Sequence, residues 1–517
     1  MRDIIWIIVD SVRNYTCPAE RVDDRGRIQL MNDLADRWVD FRTVVTSAPS
    51  TVMSISAMLT SCPAYYLGAN FLGMRLKDCG QPNIATILAP YGYKTHAIMV
   101  GPYERETWEG VLDIIPRRLW PRKAKHRHEW SNDTVNRALV NLVEDGVRSP
   151  FFLLLHYDCR GDEHVSGKVE SGLRCLSGAG LMDSAVLLLT SDHGYPDPLR
   201  KEEVKRRREL AALQRRTIAH DLVLTDDNVL VPLLLKFPGH TPLRVEQQIC
   251  TLDYLPTSLE LAGIAAYPEL HGKSVVPLLE GRAMPELEER MVRIDGRFLA
   301  QPGRCTAVRS KTRKYIVYPD APPNEREQFF DLTRDDLEIH NLLETGPDGH
   351  EADIARFTKW LHEDNARCQH FQKQFMKETY LRQWNSVFPF RRKGAPRTVL
   401  FVRSLRAGFD ELFEQVLEDV YGHGVITATD VGNLGTTSSR SYDLAIAAVP
   451  QFREGQAVCR ALAVVRARRK ILVNLNLNVT RFRRLYALAA LATDWRIRKK
   501  YYLSEPLYWL SSVLSNK

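Results

Sequence analysis

Leu187-Leu188-Leu189-Thr190-Ser191-Asp192-His193-Gly194 is the stretch on which the fold is decided. Five apolar residues, Ala185 to Leu189, run without alternation and stop at a polar cluster. A half-exposed strand alternates, whereas an unbroken run suits a strand buried on both faces of a parallel sheet; a buried helical turn is the alternative. In open α/β sheets, ligands collect outside the carboxyl ends of such strands. Asp192 offers a hard oxygen ligand and His193 an imidazole nitrogen, a pair suited to a divalent cation. Gly194 lets the backbone turn away sharply. An ordinary polar exit from a strand has the same composition, so the reading needs a second strand end.

Ile4-Ile5-Trp6-Ile7-Ile8-Val9 supplies it, ending in Asp10-Ser11-Val12-Arg13. Two carboxylates at strand ends far apart in sequence can converge on one cation, though Asp10 can also simply cap a turn. Phe151 to Leu155 is a third such strand and leads into Asp158, Arg160 and His164. Between the first two, Pro49-Ser50 marks a loop, and apolar residues at 52, 53, 55, 58 and 59 then follow helical spacing. Ser50 and Thr51 therefore start a helix, where free N–H groups and the dipole favour an anion. A hydroxyl there is placed to attack a tetrahedral oxyanion ester; plain N-capping is the alternative.

The chain has 517 residues, too many for one ordinary domain. Its 44% hydrophobic and 26% charged residues are those of a soluble globular protein. No apolar run reaches the roughly 18 residues of a membrane span, and the opening run lacks the features of a signal peptide, so a cytoplasmic location is expected. Nine cysteines without a CxxC pair indicate neither a disulfide framework nor a cysteine zinc site. The net charge of +8 suits an anionic substrate as well as a plain solvated surface. Nothing points to nucleic acid.

With these segments in place, the chain resembles the sulfatase branch of the alkaline phosphatase superfamily over about residues 3–345. Asp10 matches that family's opening strand–Asp motif and Asp192-His193-Gly194 its second metal motif. The family's nucleophile helix ends Leu-Thr-Gly; here it reads Leu59-Thr60-Ser61, and Thr51 stands where sulfatases carry the cysteine that becomes formylglycine. Val231-Pro232-Leu233-Leu234, Leu252 to Thr257, Gly272-Lys273-Ser274, Ala307-Val308-Arg309, Lys314-Tyr315-Ile316 and Phe330-Asp331-Leu332 follow in the family's order. The resemblance implies a mixed, mostly parallel sheet flanked by helices, a divalent cation (Ca, Mn, Zn or Mg) on Asp10, Asp192, His193 and Thr51, and Thr51, His220 and Arg160 as catalytic groups.

The departures bear on chemistry. Met53 and Ile55 replace the proline and arginine of the formylglycine motif, Ser11 replaces a second metal aspartate, and the Gly-Lys-x-His motif is missing. A threonine nucleophile resembles the phosphoethanolamine transferases and lipoteichoic acid synthases. Arg160 occupies the slot of a leaving-group histidine, and arginine does not donate a proton at neutral pH; His164 is a substitute. Residues 198–216 form a basic helix, either a solvated face or a lid that gathers anions. His126 and His128 are expected at the surface.

Residues 1–385 are thus read as the catalytic domain and 386–397 as a basic, proline-bearing linker. Residues 398–517 form a small α/β, Rossmann-like domain, with strands at 399–402, 425–428, 444–449 and 471–475 and helices at 409–421, 453–467 and 480–494. Tyr501 to Leu514 is expected to dock on a neighbour. The expected function is a metal-dependent hydrolase or transferase of phosphate- or sulfate-type esters, on a small-molecule or glycan- or lipid-linked anionic substrate. A sulfatase acting on sulfated carbohydrate and an inactive anion-binding module are the alternatives.

Overall fold

The apolar runs become the centre of a sheet because burial on both faces leaves their backbone groups no partner but a neighbouring strand. In the computed structural model, residues 1–14, 29–67, 76, 81–100, 108, 110–115, 131–158, 165–210, 219–296, 305–345, 349–387, 396–403, 409–430, 440–449, 464–474 and 502–504 are described. The strands of the first sheet are β1 (Ile4–Asp10), β2 (Val39–Val45), β3 (Lys94–Met99), β4 (Asp113–Ile115), β5 (Phe151–Asp158), β6 (Val186–Thr190), β7 (Leu230–Lys236), β8 (Leu243–Val245) and β9 (Ile249–Cys250). Their order is β4-β3-β5-β1-β6-β7-β2-β8, with β9 also pairing β2. All seven residues of β1 are buried. It lies parallel to β5 and β6, with Asp10 opposite Asp158 and Ile8 opposite Thr190.

β7 is antiparallel to both β6 and β2, so β2 again runs the same way as β1. The carboxyl ends of β1, β2, β5 and β6 therefore share one edge with the amino end of β7. That is where the sequence places Asp10, the loop to Thr51, Asp192-His193 and the residues before Leu230.

Both faces are covered. Trp6 stacks edge-on to Phe152 and Tyr254 and donates to Ser258 Oγ at 3.0 Å, which ties β1 to the helix Tyr254–Leu261. On the other face, Ile5, Ile7 and Val9 pack with Leu139, Leu153, Leu176 and Leu187. Asp3 fixes the register at the start of β1: its carboxylate accepts from Phe151 N and Ser149 Oγ, and its carbonyl accepts from Val186 N.

A second, antiparallel sheet follows, β10 (Val292–Gly296), β11 (Cys305–Arg309), β12 (Arg313–Val317) and β13 (Glu327–Asp331), paired in that order. It presents Arg309 and the fully buried Lys314 to the four-residue helix Asp226–Val229. Lys314 Nζ lies 2.5 Å from Asp226 Oδ1 and 2.7 Å from Glu338 Oε1, and Arg309 Nη2 lies 2.7 Å from Asp226 Oδ2. A buried ammonium is tolerated only with partners; removing one partner of such a pair costs about 3–5 kcal/mol.

By its contacts the chain separates into two units: Met1–Leu67 with Arg75–His362, and Gly68–Met74 with Glu363–Lys517. The helix Glu351–Val387 continues into the start of the expected linker; residues 388–395 of that linker lie outside the described residues. In the second unit, β14 (Val399–Arg403), β15 (Ile426–Asp430), β16 (Ser441–Val449), β17 (Arg466–Asn474) and β18 (Tyr502–Ser504) form a parallel sheet ordered β15-β14-β16-β17-β18. The helix Phe409–Tyr421 agrees with the expected 409–421. β17 starts at Arg466, earlier than the expected 471, because pairing with β16 reaches back to Ser441 and overrides the helical propensity of Arg466-Ala467-Arg468-Arg469. The expected helix 453–467 up to residue 463, the whole of helix 480–494 and most of the terminal aromatic stretch lie outside the described residues.

Burial, with the charge of Asp226, pushes the Glu338 carboxyl up to about 7 although Lys314 pulls it down. A carboxyl raised by folding contributes stability that is whole below its unfolded pKa, near 4.5, and is lost as pH rises through about 7. Glu338→Gln keeps an acceptor for the Asp226 N–H and carries no charge. It should flatten the fall in Tm between about pH 5 and pH 8; an unchanged slope would mean that Glu338 is ionised throughout.

Candidate active site

Two strand ends, those of β1 and β6, bring Asp10, Asp192 and His193 together, all buried, with a ligand atom from each within 4.8 Å of the others. His193 Nδ1 lies 2.7 Å from Gly194 O, so that nitrogen donates and Nε2 is left as a bare lone pair. Burial lowers the His193 pKa despite the attraction of Asp192, which keeps the ring neutral. Nε2 faces Asp192 Oδ2 at 3.5 Å, Asp10 Oδ1 at 4.0 Å and Thr51 Oγ1 at 3.4 Å. Asp192 Oδ2 is buried and accepts no hydrogen bond. An unsatisfied buried polar atom costs about 1–3 kcal/mol, and more when charged. Lone pairs that converge in a dry pocket are reconciled by a shared cation, so this donor set of two carboxylates and one imidazole suits a divalent metal.

The rest of the local structure holds these atoms in place. Asp192 Oδ1 accepts from the backbone N–H groups of Ser11, at 3.1 Å, and His193, at 2.9 Å. Ser11 adopts φ 64°, a left-handed conformation uncommon outside glycine, and its hydroxyl bonds to Asp10 Oδ1. Ser11 therefore orients both carboxylates. The Asp192 carbonyl accepts from Thr46 Oγ1 at 2.8 Å and Ser54 Oγ at 2.7 Å. Val12 N donates to Ser191 Oγ at 3.0 Å, and Arg13 donates to the Tyr195 and Pro196 carbonyls. Gly194 is needed because a Cβ there would run into Asp227 O and the Asn228 backbone.

Thr51 opens the helix Thr51–Thr60, as the spacing predicts. Ser50 is the N-cap residue but its side chain makes no capping bond, so the capping alternative does not account for the hydroxyl there. The uncapped N–H groups and dipole are left for an anion. The helix ends at Ser61, φ 50°, where the family has glycine; the Ser61 hydroxyl donates to Leu252 O and accepts from Gly272 N.

His220 is buried beside the cluster. Its ring lies 4.3 Å from that of His193, tilted 31°. Its Nδ1 is 2.5 Å from Pro49 O and 3.1 Å from Asp221 Oδ1. Burial alone would depress its pKa, but the Asp221 charge and hydrogen bond, with Asp10 and the Pro49 carbonyl, outweigh that and raise it. His193 and His220 are thus neighbouring imidazoles tuned in opposite directions.

Arg160 and His164 lie outside the described residues, as do His126 and His128. The basic helix forms over Lys201–Leu210, but its arginines are engaged. Arg206 pairs with Glu325, Arg207 stacks over Tyr318 at 3.5 Å and donates to Glu325 O, and Arg200 donates to the Leu337 and Glu338 carbonyls. Within its described part this helix keeps a solvated face, with Lys201, Glu202, Lys205, Arg206 and Glu209 exposed, while Val204 and Arg207 are buried. Ser11, Thr46, Ser54, Ser191 and Asn228 escaped the sequence reading as supports of the site.

This arrangement is a candidate divalent-metal site at the carboxyl edge of an α/β sheet. Residues 2–158 match the sulfatase family model and residues 220–364 match the model for N-sulphoglucosamine sulphohydrolase, C-terminal. In these two stretches the chain is similar to sulfatases. It is 23% identical over 345 residues to Arylsulfatase K of Danio rerio, covering 63% of this chain and 58% of the relative, and 29% identical over 342 residues to Arylsulfatase K of Gallus gallus, covering 62% and 54%. It is 26% identical over 206 residues to Delta 4,5-hexuronate-2-O-sulfatase of Bacteroides thetaiotaomicron, covering 38% of each. The chain spans little more than half the length of the first of these relatives. Among solved structures, a 2-O GAG sulfatase superposes with TM-score 0.51 at 16% identity, covering 72% of this chain and 92% of its own. The phosphonate monoester hydrolase of Silicibacter pomeroyi does so with TM-score 0.51 at 15% identity, covering 71% and 96%. At such identities the likeness is one of fold.

Asp192→Asn should remove binding of one divalent cation, read by titration calorimetry with Mn2+, because so small a donor set cannot spare a carboxylate. Wild-type affinity in that variant would take Asp192 out of the ligand set.

Proposed function

We propose that the chain is a metal-dependent hydrolase of sulfate-type esters, acting on a sulfated carbohydrate or small molecule. The family match and the names of the relatives support the ester class. The observation that carries the mechanism is Thr51 Oγ1 at an uncapped helix start, turned toward the atoms on which Asp10, Asp192 and His193 converge.

Asp10, Asp192 and His193, with Thr51, would hold the cation; bound there, it supplies Lewis-acid polarisation of the ester and lowers the pKa of a neighbouring hydroxyl. Thr51 then gives its proton to solvent water and its Oγ attacks sulfur in line with the bond to the alcohol. That S–O bond breaks and the departing alkoxide takes up a proton. His220, with Nδ1 held by Pro49 O and its pKa raised, keeps Nε2–H for that proton or for the ester's oxygens. The helix N–H groups neutralise charge on the remaining oxygens. Water attacks the threonine ester, releases the inorganic anion and restores the hydroxyl.

A second reading, transfer or hydrolysis of a phosphate-type ester, is favoured by one observation. The nucleophile position is threonine, and no cysteine lies between Val44 and Ser61 to become formylglycine. It ranks second because the named relatives are sulfatases.

An aryl sulfate and the aryl phosphate with the same leaving group, assayed side by side with a divalent cation, should show the sulfate cleaved faster. Faster phosphate cleavage would put the second reading in its place. Thr51→Ala should lower kcat/KM at least about a thousandfold, as loss of a nucleophile does, and leave Tm nearly unchanged. Undiminished turnover in that variant would remove Thr51 from the chemistry.

A further inference from the structure

The four-residue helix Asp226–Val229 stands between the second sheet and the candidate active site and is tied to both. On the sheet side, Asp226 takes Arg309 from β11 and Lys314 from β12, and its N–H donates to Glu338. On the site side, Asn228 O accepts from Gly194 N at 2.9 Å, in the loop that carries His193. The fully buried Asn228 side chain donates through Nδ2 to His220 O at 2.7 Å and Val223 O at 2.6 Å, so it fixes the turn that presents His220. Asp227 accepts from Asp197 N on the same loop. The Gly194 backbone is packed so closely on Asp227 and Asn228 that a methyl group does not fit between them.

We infer that Asp226 and Asn228 are positioning residues, which align the His193 and His220 rings by anchoring this helix to β11 and β12. Neither touches the reacting atoms. Asp226 acts by holding the helix, Asn228 by passing its position to both imidazoles. The inference rests on the proposed reaction only in taking these two rings as the working groups.

The test uses the full chain. In 15N-histidine NMR spectra, recorded without substrate, Asp226→Asn and Asn228→Ala should each move the ring signals of His193 and His220 while leaving that of His240, across the sheet, in place. In the aryl ester assay each should lower kcat about tenfold or more with KM within about threefold, and the double variant should lose no more than the worse single one, as coupled residues do. Histidine signals that stay put, or that all move alike, would overturn the inference, as would losses that multiply in the double variant. If Asp226→Asn fails to fold, Asn228→Ala decides, since it strands no buried charge. If the wild type cleaves neither ester, the proposed function falls and the NMR arm still decides the positioning role.

Discussion

The Asp192 carboxylate is the constraint around which the molecule is arranged. It is buried, one oxygen takes two backbone N–H bonds, and the other accepts none. Such a group is tolerable in a protein interior only if the surroundings supply positive charge. The sheet cannot supply it from side chains at strand ends that are themselves Asp10 and a neutral His193. The fold therefore concentrates polar supports around an opening suited to a cation, and most of them are short hydroxyl groups: Ser11, Thr46, Ser54 and Ser191.

Strand direction decides which segments reach that place. One antiparallel strand, β7, inserted between β6 and β2, puts its amino end, which follows the helix ending at Val229, at the same edge as the carboxyl end of β2, which leads to the helix beginning at Thr51. The nucleophile candidate, the two imidazoles and the carboxylates thus come from four separated segments. Each is short and polar, and each is held by backbone as much as by side chains. The opposite tuning of His193 and His220 follows from the same placement: both are buried, and the acid at His220, Asp221, lies closer to its ring nitrogen, at 3.1 Å, than Asp192 does to that of His193, at 3.5 Å.

Asp10, Asp192 and His193 could be read from the sequence because each stands at the end of an apolar run, where a polar residue is conspicuous. Thr51 was found through the helical spacing behind it. The supports could not be found that way. Serine, threonine and asparagine occur throughout the chain, and nothing local shows that Ser54 points at a carbonyl far away in sequence. The partners of the basic helix were hidden for a related reason, since charge density is visible in sequence and its partners are not: Tyr318 and Glu325 lie in the connection between β12 and β13. The start of β17 was missed because its residues favour a helix until β16 offers a ladder.

The position of β1 bears on how the polypeptide acquires its structure. The partners of Ile4–Asp10 begin at Phe152 and Val186, so the strand forms no ladder until the chain has been synthesised past Phe152. During that interval six unbroken apolar residues have no sheet to enter, the kind of segment that seeks other chains when it is exposed. Contacts this distant in sequence also make assembly slow. Asp10 and Asp192 meet only when β1 settles between β5 and β6, so the ion site cannot exist in a partly folded chain. Affinity for a divalent ion would thus report that the centre of the sheet has closed.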